Sequence, residues 1–214
     1  MKRRQFSQSA LGLATLAAAG VGMPLVVSAQ AAGFREGSDF RRLRKPAPVD
    51  TEPGKIEVLE FFAYTCIHCN NFVPVFKEWM KTVGPDVVVK RNPVGFNAAF
   101  EPLQRLYYTL EAMGRIDSHH ERVFKAIHQE GQRLNTPDAI AQWAERNGLD
   151  KAQFTQVYNS FAVVGRVRRA TQLQDAYEVE GTPSLGIAGK FYIPGQAART
   201  VQVANALIVE ARRA

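Results

Sequence analysis

The chain has 214 residues, 46% of them hydrophobic and 22% charged, with a formal net charge of +7. That length supports one domain with a sizeable core, or one domain carrying an insertion, and no internal repeat or low-complexity segment appears. Two cysteines are too few for a disulfide-stapled miniprotein, and the basic residues lack the aromatic interleaving or motif of a nucleic-acid binder.

Residues 1–31 read as a targeting leader outside the fold. Lys2, Arg3 and Arg4 form a basic start, Leu11 to Val27 is apolar and rich in Ala, Gly and Leu, and small residues follow. Val27-Ser28-Ala29 and Ala29-Gln30-Ala31 are competing cleavage sites, and Arg3-Arg4-Gln5-Phe6 loosely matches a twin-arginine signal, so both export routes stay open. An uncleaved anchor fits less well, since no charged stop-transfer flank follows directly. Without the leader the chain carries 24 basic against 20 acidic residues, a net +4. Much of this excess lies in Arg35, Arg41, Arg42, Arg44 and Lys45, read as a solvated basic arm. Export implies an oxidising compartment, where disulfides form and persist.

Residues 32–54 are expected to form an irregular arm on the domain surface, because Gly33, Gly37, Pro46, Pro48 and Pro53 break any helix. Lys55 to Phe62 then carries Ile56, Val58, Leu59, Phe61 and Phe62, the short apolar run of a buried central strand. Glu60 sits inside that run. An isolated buried carboxylate is costly and drifts towards its protonated form. Two readings of it are equally open: a proton acceptor for a nearby buried thiol, or an acid at the strand end paired with a nearby Lys or reaching water.

Cys66-Ile67-His68-Cys69 follows, where the apolar run ends and helical spacing begins with Phe72, Val73, Phe76 and Met80. Two cysteines so spaced at a helix start can close a small disulfide ring, and the unpaired first-turn N–H groups stabilise a thiolate there. His68 adds a donor or a positive charge beside the same sulfur. A thiol of depressed pKa is both nucleophile and good leaving group, which thiol–disulfide exchange requires. Other chemistries fit less well. Haem attachment needs His where Asn70 stands. Zinc needs about four ligands, and His119, His120 and His128 show no paired ligand spacing with the thiols. A structural disulfide closing so small a ring would stabilise weakly. The pair is therefore read as a redox-active dithiol needing neither metal nor cofactor.

Pro74 falls within the helix and is expected to kink it. Gly84-Pro85-Asp86 ends it, and Val87, Val88 and Val89 begin a second strand, making a βαβ unit with the dithiol at the carboxyl end of its first strand. From 98 to 177 the pattern is helical almost throughout. Leu103, Leu106, Tyr107, Leu110 and Met113 form one stripe, and Ile116, His120, Val123, Phe124 and Ile127 another. Thr136-Pro137-Asp138 is a helix start, Asp150 with Gln153 offers the next cap, and a last helix is expected at about 162–177. Here His120 is expected at the core or its boundary, His119 and His128 are expected exposed, and Arg166, Arg168 and Arg169 form a solvated face. After Gly181, residues 182–187 and 191–193 read as a hairpin turning at Ala188-Gly189-Lys190, and Val201, Ala204, Leu207, Ile208 and Ala211 mark a terminal amphipathic helix.

Taken together, Glu60-Phe61-Phe62-Ala63-Tyr64-Thr65-Cys66-Ile67-His68-Cys69, Pro74, Gly181-Thr182-Pro183 and the helical block resemble the thioredoxin superfamily and, within it, the DsbA family of periplasmic oxidases. The resemblance covers most of 55–214. It implies an α/β thioredoxin fold, with 55–97 and 178–214 as the thioredoxin-like domain and 98–177 as an all-helical insertion. It implies that Cys66 is the exposed nucleophile, Cys69 the buried resolving thiol, His68 a stabiliser of the Cys66 thiolate and Glu60 the family's buried acid. Pro183 would be cis, with Thr182 offering backbone hydrogen bonds to an extended substrate segment. A monomer of this kind would pass its disulfide to reduced exported proteins and be reoxidised by a membrane partner of the DsbB type. Ile67 departs from the family's usual Pro, and the inner residues tune the potential. Two other functions remain: an exported reductant or isomerase of the same fold, and a peptide-binding, chaperone-like module using the same groove.

Overall fold

The computed structural model describes residues 33–213. The leader reading of residues 1–31 lies outside them. Strand β2 (Ile56–Phe62) is buried at all its positions, as a run apolar on both faces demands. It pairs in parallel with β3 (Val87–Pro93) and antiparallel with β4 (Ser184–Ile187). Strand β5 (Phe191–Pro194) extends the sheet beyond β4, and β1 (Arg41–Arg42) closes that edge, giving the order β1-β5-β4-β2-β3.

The arm is thus not wholly irregular, since it supplies the edge strand β1. Two residues are too few for any period to register in sequence. What holds them is across the ladder: Arg41 faces Tyr192 and Arg42 faces Phe191. Each guanidinium stacks on its partner's ring, at 4.3 and 4.9 Å from the centroids.

Helix α1 (Ile67–Met80) connects β2 to β3 and runs through Pro74. With α7 (Ala198–Ala211) it covers one face of the sheet, where Phe72, Phe76, Trp79, Val203 and Leu207 meet Val58, Leu185, Ile187 and Ile193. Alternation along β2 sends Leu59 and Phe61 to the other face, against Val94, Tyr177 and Tyr192.

Between β3 and β4 lie a short 3-10 turn (Ala98–Phe100) and five helices: α2 (Glu101–Ala112), α3 (Ile116–His128), α4 (Pro137–Arg146), α5 (Lys151–Tyr158) and α6 (Phe161–Ala176). The expected caps form: the side chain of Thr136 accepts from the Ala139 N–H and that of Asp150 from the Gln153 N–H. Phe62 and Tyr64, at the end of β2, belong to the same cluster as Leu106, Val123, Phe124, Ile140 and Trp143. The helical block is therefore packed against the carboxyl end of the central strand.

Two expectations about the histidines fail. His119 is buried: its Nε2 meets the Asn147 carbonyl at 3.2 Å, with the Trp143 ring edge-on. His128 is half-buried, bonded to the Tyr64 carbonyl. At His119 a neighbouring element covers a second face of α3, which a single helical stripe does not disclose; His128 continues the stripe itself one turn beyond Phe124, where the Tyr64 turn covers it. His120 is buried, as its place on the stripe implies. No described helix is long and apolar enough to cross a membrane.

Candidate active site

The chain leaves β2 through a turn in which the Cys66 N–H donates to the Ala63 carbonyl at 3.1 Å. Cys66 then caps α1 with its own sulfur, which accepts from the Cys69 N–H at 3.3 Å. A helix cap is normally an oxygen, and here the orphan N–H groups of the first turn are aimed at sulfur instead. On the far side the Cys66 thiol donates to the Thr182 carbonyl at 3.4 Å, and the Thr182–Pro183 bond is cis. The topology supplies this contact, because β4 lies beside β2 and brings its leading loop to the same sheet edge.

The two sulfurs differ sharply. Cys66 is half-buried and Cys69 is fully buried, both as free thiols. The Cys66 thiol is pulled from 9.0 down to about 5, first by a hydrogen bond from the Cys69 thiol, against partial burial, and then by Thr182 and the backbone N–H groups of Cys69 and His68. The reverse holds at Cys69, pushed far up by donating to Cys66 and by burial. One residue of the pair is thus an available thiolate and the other a protonated, shielded thiol.

The remaining sequence candidates divide. Ile67 is 49% exposed at the first position of α1, beside Cys66. His68 reaches the sulfur through its backbone N–H; its exposed ring lines a groove of about 530 Å³ with Phe72, Val75, Thr182, Pro183 and Tyr192. Glu60 is buried, and no hydrogen bond joins it to either sulfur among the described residues. Its Oε2 accepts from Arg91 Nε at 2.9 Å, Arg91 being its register partner on β3. Burial pushes the Glu60 carboxyl up, and Arg91 pulls it partly back. Arg91 escaped the sequence reading, although a cation in an apolar strand of the same βαβ unit was a usable signal. Glu57 was passed over too. It is as buried as Glu60, and its carboxylate accepts from Lys90 Nζ at 3.1 Å and from the Asp50 N–H. No group of three or more His, Cys, Asp or Glu is placed to hold a metal among the described residues.

This geometry has close counterparts. A sequence-family profile described as a DSBA-like thioredoxin domain matches residues 96–207. The thiol:disulfide interchange protein DsbA of Bordetella parapertussis is 42% identical over 208 residues, covering 95% of this chain and 96% of that protein. The chain belongs to the DsbA family. It is a protein thiol:disulfide oxidoreductase of the DsbA type, built on the thioredoxin fold. The DsbA of Pseudomonas aeruginosa is 36% identical over 192 residues, and its crystal structure superposes with a TM-score of 0.81, covering 86% of this chain and 97% of that one. The oxidoreductase DsbA from Xylella fastidiosa superposes with a TM-score of 0.79 at 27% identity, over 84% of this chain and 98% of that one.

Proposed function

We propose that this DsbA-family chain is an exported oxidase that donates a Cys66–Cys69 disulfide to reduced proteins through a mixed disulfide. The observation that carries the reading is the asymmetry of the pair: a half-buried Cys66 thiol drawn down to about 5 beside a buried Cys69 thiol pushed up. A substrate thiolate attacks Cys66 Sγ of the disulfide, the Cys66–Cys69 bond breaks, and Cys69 leaves and takes up a proton. A second substrate thiolate then attacks the substrate sulfur of the mixed disulfide and expels Cys66 as a stable thiolate. The substrate loses two electrons and the protein gains them. A low-pKa leaving group favours the second step, so the disulfide is strongly oxidising.

Thr182 and Pro183 would receive an extended substrate segment beside the sulfur, with Ile67 and the groove along Phe72 and Val75 taking its side chains. For Glu60 the proposed role is proton acceptor to Cys69, supported by a carboxyl that burial raises and Arg91 anchors. The protein would act as a monomer in the periplasm, exported by residues 1–31 and reoxidised by a membrane partner of the DsbB type.

Cys66→Ser is expected to abolish oxidation of a reduced, unfolded substrate, and Cys69→Ser to accumulate mixed disulfides on non-reducing gels. Activity that survives Cys66→Ser would establish the peptide-binding reading instead. A potential close to that of reducing thioredoxins, measured against glutathione, would reverse the direction of electron flow and favour the reductant or isomerase.

A further inference from the structure

Tyr64 stands two residues before Cys66, within the turn that presents the sulfur, and α3 holds it at three points. His120, Phe124 and His128 recur at every fourth position and so share one face of that helix. The Tyr64 hydroxyl meets His120 Nδ1 at 2.9 Å. The Tyr64 and Phe124 rings meet edge to face, centroids 5.0 Å apart, and Phe124 stacks in turn on the His128 ring. The Tyr64 carbonyl accepts from His128 Nε2 at 2.8 Å.

The chemistry defines each donor. Tyr64 is buried and its hydroxyl has no other partner among the described residues, so it donates to Nδ1 of a His120 ring that burial keeps neutral. No backbone N–H reaches the Tyr64 carbonyl, because the turn closes on the Ala63 carbonyl one residue earlier. His128 therefore carries its proton on Nε2 and supplies what the turn's own backbone does not. These contacts fix both the side chain and the following peptide plane of a residue whose rotation would move Cys66. The Cys66 sulfur accepts from the Cys69 N–H at 3.3 Å, and such a bond weakens as a displacement of the sulfur lengthens or bends it.

We propose that His128 and His120 are positioning residues for the redox centre: through Tyr64, the helical insertion sets where the Cys66 sulfur sits relative to the amide groups that stabilise its thiolate. The inference rests on the reading of Cys66 as the nucleophile. It makes the oxidising strength of the pair a property of contacts between α3 and the redox turn as well as of the two residues between the cysteines.

The decisive comparison is His128→Ala with His128→Gln in the full chain, since the glutamine amide can stand where Nε2 stood and donate to the same carbonyl. Three quantities are read: the Cys66 titration by thiolate absorbance, the equilibrium with glutathione, and the thermal midpoint. His128→Ala is expected to leave about tenfold less thiolate below the wild-type titration midpoint and to shift the glutathione equilibrium towards the disulfide form by a similar factor. His128→Gln should restore most of both. Tyr64→Phe, which keeps the core volume and loses only the His120 contact, should shift both in the same direction by less. A His128→Ala protein that titrates like wild type overturns the proposal, and so do Ala and Gln variants displaced equally. If His128→Ala does not fold, Tyr64→Phe decides alone, an unmoved titration overturning the proposal. An ordinary titration in the wild type would instead overturn the reading of Cys66, whereas a low wild-type value that no variant moves overturns only the positioning role.

Discussion

At Glu60 two large effects oppose one another within a single side chain. Desolvation favours the protonated acid, and Arg91 Nε at 2.9 Å favours the ion. Arg91 keeps 19% of its side chain exposed while Glu60 keeps 3%, so the acid is the buried partner and the cation its link towards water. Removing either member strands the other. Glu60→Ala is expected to cost about 3 kcal/mol of stability, read from the urea midpoint. A loss below about 1 kcal/mol would mean that Arg91 is solvated well enough to dispense with its partner. The sequence made Glu60 conspicuous as an acid among apolar neighbours. Its partner came from strand register, since Glu60 and Arg91 face each other across β2 and β3 from 31 residues apart.

At the scale of elements, the proposed redox centre is a junction between a helix cap and the leading loop of β4. That loop is braced from behind by Gly195. A Cβ at Gly195 would lie 2.3 Å from the Pro183 carbonyl oxygen, a backbone atom that can yield only by moving the Thr182–Pro183 segment. Gly195→Ala is therefore expected to slow disulfide transfer to a peptide substrate more than it lowers the thermal midpoint. Equal and small effects on both would show that the loop relaxes without cost to the site. Gly186 is a contrasting case within β4: a Cβ there would overlap the Tyr177 ring, on the face remote from α1. Gly186→Ala is expected to destabilise by about 1–3 kcal/mol through overpacking, with the Cys66 titration unchanged. Chemical denaturation alongside thiolate absorbance distinguishes the two substitutions.

For the molecule as a whole, the lowered Cys66 pKa couples the redox state to folding. In the dithiol form this thiol titrates at about 5 when folded, against 9.0 in an unperturbed chain. A depressed value stabilises the folded reduced protein fully above the unfolded pKa, and that contribution is lost as the pH falls through the folded pKa. Cys69 is pushed in the other direction and stays protonated across the interval. The disulfide form has no thiol to titrate. The stability of the reduced protein relative to the oxidised one should therefore grow as the pH is raised from below 5 towards 9. Paired thermal melts of the two forms test this, and a gap that stays constant over the interval would contradict a thiolate at Cys66. Because the helical block shares its core with Phe62 and Tyr64, the same melts should show one cooperative transition rather than two.

Local pattern alone carried much of this protein: the buried run of β2, the Cys66-to-Cys69 pair at a helix start, the caps at Thr136 and Asp150, and the amphipathic stripes of the insertion. Each is decided by neighbours within a turn or a few residues, so composition and period suffice. The two-residue edge strand at Arg41–Arg42 was not legible, nor were the burial of His119, the hold of His128 on Tyr64, or the ion pairs of Glu57 and Glu60. Those depend on which face meets which element after β3, α3 and β4 have been brought together across many residues. The chemistry of the site divides in the same way. Sequence placed two thiols at the positive end of a helix, and tertiary structure made them unequal by burying Cys69, leaving Cys66 open beside Thr182, and clamping the turn between them and the sheet.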